Sequence, residues 1–296
     1  MYSDASILQP VLQPVLLELS VVVLAFNEEK RIGRCVESLG FAQKLIVIDS
    51  YSTDNTESAV RQAWARSHRL DCDLIYVKTQ WKGFTQTRND SLKWVSTAWV
   101  FWVDADEWVS EELKNELFEK LSLANSVEIF ANNFSLAKIP RQSFFLGKAI
   151  RHGGWYPDRK SRLGKSAELE WRGGPNQADV HEDLFAKNSS AAVLFEGHLY
   201  HEPFLDRNEQ WQTNDRYSTL LAQALAEKIK KGERKMLASQ FLIFRILWKF
   251  FENYIFKLGI LDGIPGFFIA KGSAESLAMR YQKARAIVQQ SLGPRR

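Results

Sequence analysis

The sequence predicts an α/β fold, a mostly parallel sheet flanked by helices, with a C-terminal helical appendage. Three observations predict it. Apolar, β-branched runs recur through the first hundred residues. Segments with helical spacing of apolar residues separate them. From about residue 206 the strand signals stop and the chain reads as helix.

The first run, LSVVVLAF (19–26), has the pattern of a strand buried on both faces. Asn27 is a suitable N-cap for EEKRIGRCVESLG, in which Ile32, Val36 and Leu39 share a face and Gly40 closes the helix. KLIVID (44–49) is a second buried strand. STDNT follows as a turn, with Asp54 shaping it, and a helix carries Val60, Ala63 and Trp64. DLIYV (73–77), the helix FTQTRNDSLKWV and the strand AWVFWV (98–103) complete a β-α-β-α-β-α-β rhythm, the signature of a Rossmann-like parallel sheet. Ser110, Glu111 and Glu112 open another helix, acidic where the helix dipole favours negative charge. Residues from about 126 to 203 are irregular, with short strands and many glycines.

Composition narrows the function. The chain of 296 residues is 45% hydrophobic and 25% charged, an ordinary globular balance. Cys35 and Cys72 have no metal-knuckle spacing and form no disulfide framework, which fits a reducing, cytoplasmic compartment. Cys35 is expected in the core. No run is long and apolar enough for a spanning helix, and the first residues lack the basic start of a signal peptide. The net charge of +4 hides an asymmetry: residues 228–296 carry 14 Lys/Arg against 4 Asp/Glu, a balance of +10, which leaves −6 for the rest. Such a tail suits an anionic partner.

Ligands of parallel sheets bind beyond the C-terminal strand ends. There the sequence places Asn27–Glu28, Asp49, and Asp104 and Asp106. In FWVDADEW, a hydrophobic strand delivers two carboxylates two residues apart. Mg²⁺ or Mn²⁺ prefers such oxygen ligands and can bridge from them to a diphosphate.

SVVVLAFNEEKRIGRCVESL, LIVIDSYSTDNT, GFTQTRN and VDADE occur in order over about residues 19–108. Together they closely resemble the family 2 inverting glycosyltransferases, which have the A-type glycosyltransferase fold. The later HGGWYPDRKSRL, DVHEDL and YIFKLGILDGIPGFFIA look like the branch that adds glucose to the inner core of bacterial lipopolysaccharide, a looser match. The resemblance implies that Ala25, Asn27 and Glu28 line the nucleobase and ribose pocket. It implies that Asp49 accepts a hydrogen bond from the base imide, favouring uracil, and that Arg88 reaches the nucleotide. Lys82 is the candidate cation for the diphosphate, and Asp104 and Asp106 hold the metal.

Inverting transfer needs a carboxylate to take the acceptor hydroxyl's proton. The family supplies it from an acidic pair downstream, here Glu182 and Asp183, with Glu182 the first choice. The commoner family pattern favours Asp183. His181 beside them is a candidate to orient the base or help bind the diphosphate, and one of His181, His198 and His201 is a candidate to approach the metal. Trp155, Tyr156 and Arg162 are placed on the acceptor side, where aromatic faces suit sugar rings and arginine suits phosphate.

In the tail, Arg245, Lys249, Asn253 and Lys257 recur every fourth residue along the mostly apolar stretch 234–257. Such a helix can lie in the interface of an anionic bilayer, and LGILDGIPGFFIA can dip beside it. A helix packed on the catalytic domain or a dimer contact is the plainer alternative. The tail has no nucleic-acid module.

The sequence therefore predicts an N-terminal extension (1–18), a catalytic domain (19–205, with a nucleotide-binding half 19–108 and an acceptor half 109–205) and a basic helical tail (206–296). The expected activity is metal-dependent transfer of a hexose, glucose by resemblance, from a UDP-sugar to a lipopolysaccharide-core or other lipid-linked acceptor. The expected location is the cytoplasm, peripheral on the inner face of the cytoplasmic membrane, with no nucleic-acid partner. Transfer to a polyprenyl phosphate is the nearest alternative. A sugar-nucleotide nucleotidyltransferase is disfavoured, because AFNEEKR stands where its glycine-rich loop belongs. A non-catalytic binding module is disfavoured by the intact acidic motifs.

Overall fold

The structure, a computed structural model, describes residues 17–67, 73–124, 134–173, 182–188 and 192–291. The first half alternates β1 (Leu17–Ala25), α1 (Ile32–Glu37), β2 (Ala42–Asp49), α2 (Thr56–Ser67), β3 (Asp73–Lys78), α3 (Phe84–Ser91) and β4 (Trp99–Asp104). These strands pair in parallel in the order β3-β2-β1-β4. Val21, Val22, Val23, Ile46, Val47, Phe101 and Trp102 are all buried, so both faces of the sheet are covered, as continuous apolar runs require.

Past β4 the sheet changes character. β5 (Glu107–Val109), α4 (Glu111–Ala124), β6 (Leu136–Phe145), β7 (Lys148–Ala149), β8 (Asp158–Lys165), β9 (Leu169–Arg172), β10 (Asp183–Ala186), β11 (Val193–Leu194) and β12 (Leu199–His201) follow. β8 pairs antiparallel with both β4 and β6. β12 lies parallel to β6 and antiparallel to β5. β9 and β10 form a separate two-stranded ribbon. Three helices end the chain: α5 (Arg207–Lys230), α6 (Ser239–Phe251) and α7 (Ile264–Ser291). α5 and α7 pack through Ala222, Leu225, Ala226, Tyr281 and Ala284, and Leu242 of α6 joins that cluster.

Several local expectations hold. Cys35 is buried, and burial pushes its thiol well up. Ser110 Oγ accepts from Leu113 N at 3.1 Å in the first turn of α4. Asp54 accepts from Thr56 N at 3.0 Å and shapes the turn before α2.

Two local expectations need correction. Asn27 does not cap α1, which begins only at Ile32. It is left-handed, with φ 57°, a region asparagine tolerates. Its Oδ1 accepts from Thr53 N at 2.8 Å, so it ties the loop after β1 to the loop after β2. Gly40 does not cap a helix in the left-handed region either. A Cβ there would meet Ser67 O at 2.9 Å, so glycine serves the close approach of α2.

Candidate active site

The predicted acidic groups converge where the parallel sheet turns antiparallel. β4 delivers Asp104 at its last residue, and Asp106 lies in the turn before β5. Asp104 is held between two guanidiniums. Arg88 Nη2 donates to Oδ1 at 2.7 Å, and Arg162 Nη2 donates to Oδ2 at 2.6 Å. Burial acts to raise the Asp104 carboxyl, but Arg162, Arg88 and Arg141 outweigh it and hold it well below the usual carboxylate range. Asp104 is thus an anion throughout the physiological range.

Arg88 was expected to reach the nucleotide. It is instead 2% exposed, and its other donor, Nη1, bonds Glu182 Oε1 at 2.5 Å. Arg88 therefore bridges the first carboxylate of the D-x-D pair and the first-choice base. Burial lowers the Arg88 guanidinium against the pull of Asp104. The Trp171 ring covers it, with the guanidinium carbon 4.4 Å from the ring centroid. Arg162, expected on the acceptor side, is likewise buried here, and Asp104 and Glu107 raise it further despite its burial.

Strand parity separates the two candidate bases. Leu184 of β10 is buried against the sheet, so Asp183 and Phe185 point outward, and both are exposed. Asp183 Oδ1 merely accepts from Leu184 N. Glu182 has the parity of Leu184 and turns inward, its side chain 12% exposed. Its Oε2 is buried without a hydrogen-bond partner among the described residues, an acceptor site left open. A Cβ on the neighbouring Gly173 would approach Glu182 Cβ at 3.3 Å, so glycine lets this carboxylate come in close.

The β9–β10 ribbon is fastened to α3. Asn89 Nδ2 donates to Trp171 O, and Asn89 Oδ1 accepts from Trp171 N, both at 2.9 Å. The consecutive Arg88 and Asn89 thus share two tasks: one binds carboxylates, the other locks α3 to β9.

Around Asp106 a second set gathers. His201 Nε2 is 3.5 Å from Asp106 Oδ2, while its Nδ1 faces Ser143 Oγ at 3.0 Å. Burial raises Asp106, and His201 outweighs it and lowers the carboxyl. Of the two described histidines among those singled out, His201 is the one beside the acidic pair. His198 Nε2 bonds Tyr156 Oη at 3.0 Å, and His181 lies outside the described residues. Among the described residues no group of three or more His, Cys, Asp and Glu is arranged to hold a metal ion. The donor chemistry fits one nonetheless. Asp106 and the facing Nε2 of His201 offer oxygen and imidazole nitrogen, and among the described residues no guanidinium hydrogen-bonds the Asp106 carboxylate.

Glu28 stands close to Asp106. Arg31 Nε binds Glu28 Oε2 at 2.9 Å, and Arg31 Nη2 binds Glu209 Oε1 of α5 at 3.0 Å. Burial pushes the Glu28 carboxyl up from 4.5 to about 7, Arg31 opposing and Asp106 adding to the rise. Between those two values the folded protein keeps a proton that the unfolded chain releases. Stability therefore falls as pH rises from 4.5 to about 7, and the penalty is fully present above that. Glu28→Gln is expected to remove the slope, a gain of up to roughly 3 kcal/mol at neutral pH. Urea titrations across this pH range in metal-free buffer measure it, and identical slopes for the two proteins would refute it.

A cavity of about 420 Å³ opens beyond the ends of β2 and β3, with Asp49, Ser52, Arg61, Tyr76 and Lys78 among its walls. Asp49 is fully buried and accepts from Ser52 N and Oγ through Oδ1 and from Ser52 N at the longer 3.2 Å through Oδ2, with Tyr76 beside it. Ala25 is buried, and Ala25, Asn27 and Glu28 are not among the cavity's described walls. Lys82 is exposed and pairs with Asp90 at 2.9 Å. Trp155 packs against the cluster of Phe145, Ile150, Phe204 and Ile269.

Some members of this site had no sequence signal. Glu107 is fully buried, accepts from Asp104 N at 2.9 Å, and pairs with Arg141 at 3.2 Å. Its position in VDADE was the only hint. Arg31, Asn89, Arg141 and Trp171 have no sequence signal that sets them apart for these contacts.

The family model for glycosyl transferase family 2 matches residues 20–167. The lipopolysaccharide core biosynthesis glycosyltransferase LpsC of Rhizobium meliloti is 24% identical over 291 residues, covering 93% of this chain and 98% of that protein. An uncharacterized glycosyltransferase of Rickettsia conorii is 22% identical over 255 residues, 84% of this chain and 83% of that protein. Among solved structures, S. aureus TarS 1–349 in complex with UDP-GlcNAc aligns with a TM-score of 0.40 at 13% identity, over 93% of this chain and 91% of that chain. The mannosyltransferase PcManGT from Pyrobaculum calidifontis, in complex with GDP-Man and Mn²⁺, aligns with a TM-score of 0.42 at 12% identity, over 96% and 78%.

Proposed function

The chain belongs to glycosyl transferase family 2 and is a glycosyltransferase; from that premise we propose that it moves a hexose, glucose by the sequence resemblance, from a UDP-sugar to a lipopolysaccharide-core or similar lipid-linked acceptor with inversion. One observation carries the reading: Arg88 joins Asp104 to a Glu182 whose second oxygen is open.

The donor's base enters the cavity walled by Asp49, with Ala25, Asn27 and Glu28 at its approach and Lys82 near the diphosphate. Asp49 Oδ2 accepts from the imide N–H of uracil. The acceptor hydroxyl hydrogen-bonds Glu182 Oε2. As its oxygen bonds to the anomeric carbon, the proton passes to Glu182 and the bond from that carbon to the diphosphate breaks on the opposite face. Arg88 keeps Glu182 oriented throughout. Mg²⁺ or Mn²⁺ would be held by Asp106 and Asp104 with His201 beside them, supplying positive charge for the departing diphosphate. The catalytic domain is 19–205. The tail from 206, with its +10 balance over 228–296, meets an anionic membrane surface on the cytoplasmic side.

UDP release from a panel of UDP-sugars with Mn²⁺ tests this. Turnover of one sugar is expected, reduced roughly a hundredfold or more by Asp106→Asn. Turnover of GDP-sugars in place of every UDP-sugar would overturn the assignment of Asp49, whereas turnover of dTDP-sugars, whose thymine carries the same imide, would overturn only the choice of uracil. Equal activity of Asp106→Asn would overturn the metal site.

A further inference from the structure

α6 turns its apolar side outward. Its inner side reaches the α5–α7 cluster through Leu242. Its outer side exposes Phe241, Phe244, Leu247, Trp248 and Phe251, with Phe244 and Trp248 stacked at 6.4 Å. No helix among the described residues is long and apolar enough to cross a membrane, so this face has no route out of water by spanning. The chain then makes a π-helical turn (Glu252–Phe256) and a short 3₁₀ turn (Gly259–Asp262). The apolar surface continues along them, Leu261 being 61% and the following Ile264 71% exposed.

The expected polar stripe of the tail does not run on. The π-helical turn rotates the register, so Asn253 is buried while Lys249 and Lys257 converge on Glu252 at 3.2 and 2.7 Å. Beside the apolar turns stand Lys257, Arg151 and Lys148, whose Nζ donates to Asp262 O at 3.1 Å, and along α6 stand Arg245 and Lys249; these five cations against Glu252 and the buried Asp262 leave the rim net positive. Two copies meeting through this face would bring like-charged rims together, whereas anionic head groups would neutralise them.

The buried Asp262 ties this surface to the acceptor half. Its carboxylate accepts from Arg151 N at 3.2 Å, His152 N at 2.9 Å and the His152 ring at 2.9 Å. Gly153 N donates to Lys257 O at 2.8 Å. The loop 151–154 is therefore fastened to the apolar turns.

We propose that the outer face of α6 and the apolar turns 255–264 seat the chain in the interfacial layer of an anionic bilayer, with Asp262 holding the 151–154 loop at that level as a positioning residue for a membrane-borne acceptor. The acceptor part rests on the transferase reading; the surface does not.

Flotation of the full chain with phosphatidylcholine vesicles, with and without phosphatidylglycerol, tests the surface. Binding is expected with phosphatidylglycerol, weakened by salt, and cut at least about tenfold by Phe244→Ser with Trp248→Ser. Hydrolysis of the UDP-sugar in the absence of acceptor should be unchanged by the pair. Equal flotation of wild type and the pair would overturn the proposal. So would a dimer in sedimentation that the pair dissociates while vesicle binding is absent throughout. Equal binding to neutral and anionic vesicles would overturn the role of the cationic rim. Asp262→Ala should float normally yet raise KM for acceptor embedded in vesicles about tenfold with KM for the UDP-sugar unchanged. A parallel rise in both would overturn the positioning role. Vesicle binding without any sugar transfer would count against the transferase reading and leave the surface standing.

Discussion

Glu182→Gln is expected to lower turnover by about 10²–10⁴-fold while leaving UDP-sugar affinity near that of the wild type. The amide keeps an oxygen for Arg88, so the bridge to Asp104 has a partner and the ribbon stays in place. What is lost is the capacity of the second oxygen to take a proton. Asp183→Asn should be nearly neutral, since Asp183 faces solvent at the start of β10. Steady-state UDP release together with calorimetric titration of the UDP-sugar separates turnover from binding. Loss of activity in Asp183→Asn alone would exchange the two roles. Full activity in both variants would favour an acceptor whose oxygen is already ionised, such as a polyprenyl phosphate.

Arg162→Met should be among the most destabilising single changes in the chain. It leaves Asp104 with one guanidinium, and it removes from the fully buried Glu107 a cation 3.7 Å away. Breaking a buried pair by removing one partner costs about 3–5 kcal/mol, because the remaining charge stays desolvated. The pH dependence gives an independent check. Asp104 is depressed in the folded state, so its contribution is present above the unfolded carboxylate value of about 3.9 and is lost as pH falls below it. The gap between wild type and variant should therefore narrow in acid. Denaturant midpoints at neutral and acid pH measure both effects. A loss below about 1 kcal/mol at neutral pH would show that Arg88 and Arg141 suffice.

The parallel half was legible because its signals are local. Val21–Val23, Ile46–Val47 and Phe101–Val103 read as strands buried on both faces, and the parallel sense of the sheet followed from the alternation with helices. The acidic motif was legible for the same reason: Asp104 and Asp106 are two residues apart at one strand end. The countercharges were not. Arg162 meets Asp104 across 58 residues, and Glu182 meets Arg88 across 94. Nothing in one sequence tells a buried arginine from a surface one, so neither the Arg162–Asp104 pair nor the Arg88–Glu182 pair was visible in it. Asn27 misled differently. Its side chain suits both an N-cap and a left-handed turn, and the contact with Thr53 decided between them.

The antiparallel pairing of β8 with β4 also bears on how the protein is made. Synthesis completes β1 to β4 first, and at that stage β4 has β1 on one side and an open edge on the other. The emerging chain also presents Asp104 before Arg162 exists to neutralise it. The strand that closes the edge is the strand that carries the cation. Completion of the sheet and completion of the charge balance are thus one event in the life of the nascent chain. A chain cut off before β8 would lack both, so the strands β1 to β4 are not expected to fold on their own.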